Sequence, residues 1–272
     1  MAEHNLQTYR DFIVEIALQA GEVLKKHIGE SLTIEYKDRE KHDLLTKFDK
    51  QTEEFLVKNI RQRYPDHAII GEEGGTGAAD TLKNATHRWI IDPIDGTTNF
   101  AHGHPFFAIS IGLEVNGEMV LGVVNAPVLQ ELYIGVKGLG STLNGKPIHV
   151  SNVKTVQESL LTTGFNPRVT EENFPHFKHF QTRCHGIRRG GAASLDLCYV
   201  AAGRIDGYWE FGLKAWDMAA GVVIIQEAGG KVTNATGGPL NLFGEEILTT
   251  NGFIHKEMEE YFQKNPFKKS LG

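Results

Sequence analysis

The sequence predicts an α+β fold whose first part combines helices with antiparallel strands and whose second part alternates strands with helices. Over residues 6–27, apolar side chains recur at three- and four-residue steps, as on the buried face of an amphipathic helix. Over residues 106–136, short apolar runs are separated by Asn116-Gly117 and Ala126-Pro127. Because Asn-Gly between two such runs is a strong hairpin signal, this stretch is predicted to be an antiparallel meander.

The first 150 residues are predicted to form one half of the molecule. Helices are predicted at 6–27 and 49–63, and Tyr64-Pro65-Asp66 ends the second of them. The predicted strands are 31–36, 67–70, 89–91, 107–115, 119–125 and 131–136. The strand at 89–91 is expected to stop at Asp92-Pro93. The charged segment 37–43 and the polar segment 76–87 are predicted to be loops.

A domain boundary is predicted near Ser151, so that residues 1–150 and 151–272 form two halves. In the second half, short strands are predicted at 160–163, 186–187, 207–209, 231–233 and 247–249. Helices are predicted between them, at 170–180, 191–203, 215–228 and 254–263. The first half would hold the meander and most of the acidic site residues discussed below.

Composition and charge exclude several classes of protein. The chain of 272 residues has 28 Lys and Arg against 34 Asp and Glu, a net charge of −6, which argues against a nucleic-acid partner. No apolar run reaches the roughly 18 residues of a membrane span, and the N-terminal segment does not resemble a signal peptide. The two cysteines, Cys184 and Cys198, are expected to be buried free thiols. We therefore expect a cytoplasmic protein without a membrane partner.

The most informative segment is 91–98, in which Asp92 and Asp95 stand at the end of a buried strand. Pro93 prevents a helix there, and Gly96 allows a tight turn and close approach of the backbone. Two threonines follow at a predicted helix start, where backbone N–H groups favour anions. Carboxylates and carbonyls are the ligands that Mg²⁺ prefers, so a cation and a phosphate could meet here. The alternative is a strand-ending turn in which Asp95 is a helix cap.

Three further acidic positions occur at strand or helix ends. Glu72 follows a short buried strand, Asp49 lies at the start of the second helix, and Asp217 lies at the start of a later one. For Asp49 and Asp217, taken singly, helix capping is an equally good interpretation. Together with the strand end that carries Asp92 and Asp95, four strand or helix ends carry acidic residues. In a chain without another chemical motif, this favours a shared metal site.

These motifs resemble those of the inositol monophosphatase family. Asp92–Phe100 resembles the first signature of that family and Trp216–Gly221 the second, while Gly71–Glu73 and Thr46–Asp49 match its other acidic elements in order. The resemblance implies a layered αβαβα fold and a homodimer. It also implies a lithium-sensitive phosphatase that uses two or three Mg²⁺ ions, for which Mn²⁺ can substitute, with the site between the two halves.

The resemblance also implies a role for each matching position. One Mg²⁺ would be held by Glu72, Asp92 and the Ile94 carbonyl, a second by Asp92, Asp95 and Asp217, and a third, weaker one near Glu72. Gly96 and Thr97 would bind phosphate oxygens, and Asp49 and Thr97, with Glu72, would orient or deprotonate the attacking water. The substrate ring would contact Gly191, Ala192, Ala193 and Glu210, next to Asp95 and Asp217. Lys37 matches a family lysine near a mobile loop.

The expected reaction is hydrolysis of inositol 1-phosphate by metal-activated water, without a phosphoenzyme. The segments 164–168 and 188–197 resemble those of bacterial members, some of which act on fructose 1,6-bisphosphate or on the 2′-phosphate of NADP. Four cations could bind a second phosphate or could simply lie at the surface: Arg168, Arg188, Arg189 and Lys214. A third alternative is a regulatory binding protein with residual phosphatase activity.

Overall fold

The structure is a computed structural model that describes residues 3–30, 35–36, 44–74, 85–166 and 169–267. Several expectations therefore lie outside the described residues. These are Lys37, Arg168, the predicted loop 37–43, most of the loop 76–87, and all but Glu35–Tyr36 of the strand predicted at 31–36. None of the described helices combines the length and the apolarity that crossing a membrane requires.

The first half of the chain supplies three helices and nine strands within the described ranges. The helices are α1 (Glu3–His27), α2 (Lys47–Arg63) and the short α3 (Thr97–Ala101). The strands are β1 (Glu35–Tyr36), β2 (Leu44–Leu45), β3 (Ala68–Gly71), β4 (His87–Asp95), β5 (Ala108–Val115), β6 (Glu118–Ala126), β7 (Glu131–Val136), β8 (Gly140–Leu143) and β9 (Lys146–Pro147).

The second half alternates strands and helices, as its sequence predicts. After a 3₁₀ turn at Val156–Glu158, the strands are β10 (Leu160–Thr163), β11 (Gly186–Arg188), β12 (Gly207–Phe211), β13 (Lys231–Thr233) and β14 (Glu246–Thr250). The helices are α4 (Thr170–Gln181), α5 (Ala193–Ala201), α6 (Ala215–Glu227) and α7 (His255–Lys264).

Two separate sheets form the framework, one from each half of the chain. The seven-stranded sheet has the order β3-β4-β5-β6-β7-β8-β9 and is antiparallel except for the pair β3–β4. Asn116-Gly117 and Asn144-Gly145 both have positive φ, as a two-residue hairpin turn requires, so the meander is confirmed. The five-stranded sheet has the order β11-β10-β12-β14-β13 and is mixed.

Helices separate and cover the two sheets in five layers. Helices α1 and α2 pack on one face of the seven-stranded sheet, and α5 and α6 pack on its other face. On β12, Tyr208 faces the apolar core around α5 and α6, whereas Trp209 faces the core around α4 and α7. Because neighbouring strand residues point to opposite faces, α4 and α7 form the outer layer. The order is helix, sheet, helix, sheet, helix, which is the αβαβα arrangement that the family resemblance implies.

Glycines in the meander allow α6 to lie against the seven-stranded sheet. A Cβ atom on Gly122 would lie 2.2 Å from the backbone oxygen of Ala220, and one on Gly135 would lie 2.7 Å from the Cα of Ile224. Ser141 then donates from Oγ to the Ile224 carbonyl at 2.7 Å. This close packing holds the start of α6, which carries Asp217, near the end of β4.

We expect Gly122→Ala to destabilise the fold, because the added methyl group would meet helix backbone and not a movable side chain. Overpacking of this kind costs about 1–3 kcal/mol in the free energy of unfolding, measured by denaturant titration. Gly186→Ala is the matched control, since a Cβ there would come no closer than 3.2 Å to the flexible end of Arg188. Equal stability of the two variants would contradict this view of the helix–sheet contact.

Several sequence predictions differ from the structure. The strand predicted to stop at Asp92-Pro93 continues to Asp95, because the ladder with β5 shifts register between Asp92 and Asp95 and the proline needs no partner within that bulge. The helix predicted from residue 191 begins at Ala193, since Gly191 has a φ of 88°. Both cysteines are free, but only Cys198 is buried, and Cys184 is half-buried.

Candidate active site

The end of β4 brings two buried carboxylates together. Asp92 and Asp95 are 2% and 7% exposed, and Asp92 Oδ1 accepts a hydrogen bond from the Ile94 N–H at 3.0 Å. That bond spans Pro93 and fixes the backbone between the two acids. Gly96 follows with a φ of 90°, and a Cβ atom there would lie 3.1 Å from the Gly191 oxygen. Glycine is therefore required where the first and second halves of the chain meet.

The start of α2 places a carboxylate and a hydroxyl beside this turn. Asp49 Oδ2 accepts from the Thr46 N–H at 2.8 Å and from Thr46 Oγ1 at 2.6 Å. Its other oxygen, Oδ1, accepts from Thr97 Oγ1 at 2.9 Å. Thr46 is the N-cap residue and Asp49 completes the capping box, so Asp49 has the capping role and also reaches Thr97.

Asp217 joins the two acids of β4 from the second half of the chain. It is half-buried and accepts a hydrogen bond from the Lys214 N–H at 2.6 Å. One carboxylate oxygen from each of Asp92, Asp95 and Asp217 lies within 4.8 Å of the other two. Three carboxylates this close repel one another unless they are protonated or share a cation, so the donor set suits a hard metal ion.

Burial and mutual repulsion raise the pKa values of these carboxyl groups. The pKa of Asp92 is raised well above its ordinary value by burial and by the charges of Glu72, Asp95 and Asp217. Burial raises the pKa of Asp95 to about 6, against the opposing effect of its hydrogen bonds with Ser194. Burial and the charge of Asp95 also raise the pKa of Asp217. A bound cation would favour the ionised forms that coordinate it.

Glu72 reaches the cluster from the turn after β3. Its N–H donates to the Ile91 carbonyl at 3.2 Å, and its carboxyl is hydrogen-bonded to Asp92. The turn is held by Glu53 on α2, whose Oε2 accepts from the Glu73 N–H at 2.8 Å. Glu53 was not among the predicted site residues, although it lies four residues after Asp49 and therefore on the same face of the helix.

The start of α5, in the second half of the chain, contacts Asp95 through hydrogen bonds. The carboxylate of Asp95 accepts hydrogen bonds from the Ala193 N–H at 3.1 Å, the Ser194 N–H at 2.6 Å and Ser194 Oγ at 2.5 Å. Asn99 donates from Nδ2 to the Gly190 carbonyl at 3.0 Å. Neither Ser194 nor Asn99 was among the predicted site residues, and nothing in the local pattern marks contacts across more than 90 positions.

A cavity of 220 Å³ lies between these elements. It is lined by Asp95, Gly96, Thr97, Thr98, Gly164, Phe165, Asn166, Arg189, Gly191, Ala192, Ala193, Glu210, Leu213 and Asp217. Every residue predicted to contact the substrate ring lies in this lining. Four other predicted site residues are not part of the lining and are linked to it through the contacts given above: Asp49, Glu72, Asp92 and Ile94.

Glu210 is a buried carboxylate on the side of the cavity formed by the second half. Its Oε2 accepts a hydrogen bond from Tyr208 Oη at 2.6 Å. Gly164 makes room for it, since a Cβ atom there would lie 2.0 Å from the carboxylate. Burial raises the pKa of Glu210 to about 7, with the Tyr208 hydrogen bond and Arg189 opposing the shift.

The cations proposed for a second phosphate have different surroundings. Arg189 lines the cavity and is attracted by Glu210. Lys214 forms an ion pair with Glu245, and Arg188 is exposed and outside the cavity lining. Within the described ranges, Arg189 is thus the member of this set that the structure places at the cavity.

Comparisons with known proteins identify the family. The family described as inositol monophosphatase matches residues 5–266. A Synechocystis protein named inositol-1-monophosphatase is 42% identical over 266 residues, which cover 96% of this chain and 91% of that protein. A Pseudomonas aeruginosa protein named Nus factor SuhB is 43% identical over 237 residues, covering 85% and 87%.

A solved structure gives the same result for the fold. The inositol monophosphatase from Anabaena matches with a TM-score of 0.85 and 41% identity, covering 98% of this chain and 100% of that one. The family is metal-dependent, and Asp92, Asp95 and Asp217 could hold its metal. The activity is that of a phosphomonoesterase, in agreement with relatives that are phosphatases by name. The chain belongs to the inositol monophosphatase family.

Proposed function

We propose that this phosphatase hydrolyses inositol 1-phosphate to inositol and phosphate with Mg²⁺ as its metal. The single observation that carries this is the convergence of Asp92, Asp95 and Asp217 within 4.8 Å, since Asp95 and Asp217 line a cavity that also holds Glu210. An acidic cluster on one side suits a metal and its phosphate, and a carboxylate on the other suits a hydroxyl-rich leaving group. The Synechocystis relative bears the name of this activity.

The proposed metal ligands follow the family resemblance. Glu72, Asp92 and the Ile94 carbonyl would hold one ion, and Asp92, Asp95 and Asp217 a second. When bound, Mg²⁺ would neutralise phosphate oxygens, lower the pKa of water and stabilise the leaving alkoxide. Lithium inhibition, a homodimer and a cytoplasmic location remain part of the proposal.

The chain's own groups would position the reactants. Thr97 Oγ1 lies 2.9 Å from Asp49 Oδ1 and 3.0 Å from the Ile94 carbonyl oxygen, and its single proton can be donated to either. When Thr97 donates to Asp49, the lone pairs of its Oγ1 could accept a hydrogen bond from the attacking water. The water proton would pass to Thr97 Oγ1 as the hydroxyl proton moves to Asp49 Oδ1. The N–H groups of Gly96 and Thr97 would bind phosphate oxygens. Phosphoryl transfer depends mainly on such positioning and on electrostatic stabilisation.

Glu210→Gln should weaken recognition of the polyol while preserving the bond to Tyr208. One amide oxygen can still accept from Tyr208, but the NH₂ group cannot accept a substrate hydroxyl proton. We expect kcat/KM for inositol 1-phosphate to fall about tenfold, the size of one lost hydrogen bond to a charged group. Hydrolysis of p-nitrophenyl phosphate, which has no hydroxyl group, should change far less. Equal losses on both substrates would argue against a contact with the polyol.

A second candidate is a substrate with another phosphate group, and Arg189 favours it. With the phosphate to be hydrolysed at the metal site, its guanidinium could bind the diphosphate of NADP or the other phosphate of fructose 1,6-bisphosphate. The test is Mg²⁺-dependent phosphate release from inositol 1-phosphate, fructose 1,6-bisphosphate, NADP and adenosine 3′,5′-bisphosphate. Preference for inositol 1-phosphate supports the proposal. Preference for a doubly phosphorylated substrate that Arg189→Gln abolishes would replace it with the second candidate.

A further inference from the structure

The first turn of α5 holds the carboxylate of Asp95, and one of the groups that hold it is a side chain. Asp95 Oδ1 accepts from the Ala193 N–H, whereas Oδ2 accepts from both the N–H and the Oγ of Ser194, at 2.6 Å and 2.5 Å. The Leu195 N–H also favours the charged carboxylate. Any residue except proline would supply these backbone N–H groups, so only the hydroxyl requires a serine at position 194.

The hydroxyl of Ser194 is buried and donates to the metal-site carboxylate. Ser194 is 0% exposed, and a buried hydroxyl needs a hydrogen-bond partner. Among the described residues, Asp95 Oδ2 accepts its proton. A carboxylate oxygen has two lone-pair positions, and at Oδ2 the N–H and the hydroxyl of Ser194 occupy both. A cation bound by Asp95 would therefore use Oδ1.

A ligand with one available oxygen in a fixed orientation does not suit all divalent cations equally. Mg²⁺ is small, requires a nearly ideal octahedron and is bound through one or two carboxylates together with water. Ca²⁺ takes six to eight oxygens in irregular arrangements and often binds both oxygens of one carboxylate. Because Asp95 Oδ2 is occupied by Ser194, the second mode is blocked at Asp95.

We propose that Ser194 is a positioning residue that makes the metal site selective for Mg²⁺ over Ca²⁺, by occupying Asp95 Oδ2 and leaving Oδ1 to the metal. This inference rests on the proposed Mg²⁺-dependent function and adds a determinant of ion selectivity to it. Ser194 acts through Asp95 and not by contact with the ion. Loss of a group that orients a metal ligand typically changes metal affinity by about 10–100-fold.

Ser194→Ala removes the hydroxyl and keeps the backbone N–H. Isothermal titration calorimetry of the metal-free protein at pH 8, without substrate, gives the apparent Kd for Mg²⁺ and for Ca²⁺. We expect the Kd for Mg²⁺ to rise about tenfold, because Asp95 is less firmly oriented. The Kd for Ca²⁺ should stay the same or fall, because Oδ2 regains a lone pair. The ratio of the Ca²⁺ to the Mg²⁺ Kd should thus fall about tenfold or more. Ser194→Cys, with a weak donor of similar size, should also lower it.

Ser159→Ala is the matched control, since Ser159 is also 0% exposed and its Oγ donates to the Val156 carbonyl at 2.7 Å, outside the cavity lining. It should leave the ratio unchanged. Equal weakening of both ions in Ser194→Ala, as a purely structural role would give, or unchanged Kd values, would overturn the role of Ser194 but leave the phosphatase intact. Failure of the unmodified protein to bind Mg²⁺, or to release phosphate from inositol 1-phosphate in its presence, would instead overturn the proposed function, and the selectivity with it.

Discussion

Asp92→Asn should abolish phosphate release and at the same time stabilise the metal-free protein. The carboxylate is 2% exposed, and its pKa is raised by burial and by Glu72, Asp95 and Asp217. A carboxyl group with a raised pKa opposes folding at pH 8 in the absence of metal, because it must be either buried as a charge or kept protonated, and a neutral amide removes that cost. The amide oxygen can still accept the bond from the Ile94 N–H, so the turn should keep its shape.

The loss of activity should be large because Asp92 is a proposed ligand of both metal ions. We expect kcat in Mg²⁺ to fall by about 10³-fold or more, or roughly 4 kcal/mol of transition-state stabilisation. The Tm in chelator at pH 8 should rise by a few degrees. Asp11→Asn is the control, since the Asp11 side chain is 69% exposed, and it should change neither quantity. Turnover near that of the unmodified enzyme would contradict the metal assignment.

Metal removal should destabilise the protein more at pH 8 than at pH 5. The pKa of Asp95 is raised to about 6, and those of Asp92 and Asp217 are also raised. A carboxyl group with a raised pKa contributes stability below its unfolded pKa, and that stability is lost as the pH rises through the folded value. The metal-free protein should therefore lose stability between about pH 4 and pH 6 as Asp95 ionises, and further as Asp92 and Asp217 do.

Mg²⁺ should restore this stability because it binds the ionised carboxylates of the folded state. At a concentration 100 times the Kd, a ligand adds about 2.7 kcal/mol, which corresponds to a Tm increase of about 5–10 °C for a chain of this size. Calorimetry at pH 5 and pH 8, with Mg²⁺ and with chelator, measures this gain in Tm. A Tm gain that is equal at both pH values, or one that persists in Asp92→Asn, would count against the cluster as the binding site.

The sequence predicted the local parts of the fold well, since helix periodicity and hairpin turns are properties of neighbouring residues. The meander and the helices of the second half follow their predicted ranges closely. The prediction that β4 stops at Pro93 was wrong, because a β-bulge accommodates the proline within the strand. The register of β4 depends on its partner β5, which lies elsewhere in the sequence. Likewise, α5 was predicted to begin at residue 191 but begins at Ala193, because the backbone of Gly191 is not helical.

The candidate site could be predicted only in part, for a related reason. Asp92 and Asp95 stand out because they share one short motif, whereas Ser194 bonds to Asp95 across 99 positions. Nothing within the sequence near Arg189 separates it from Arg188, yet only the former lines the cavity within the part of the chain that the structure describes. Contacts of this kind depend on how two sheets are placed, which no local pattern encodes.

Phosphate release from inositol 1-phosphate as a function of Mg²⁺ concentration tests the central claim most directly. We expect no release in chelator, a saturable increase with Mg²⁺, and no increase in Asp92→Asn at any concentration. The same titration followed by Tm should saturate over the same range, since one cluster accounts for both effects. Release that continues in chelator, or that Asp92→Asn retains, would contradict a metal-dependent phosphatase centred on Asp92, Asp95 and Asp217.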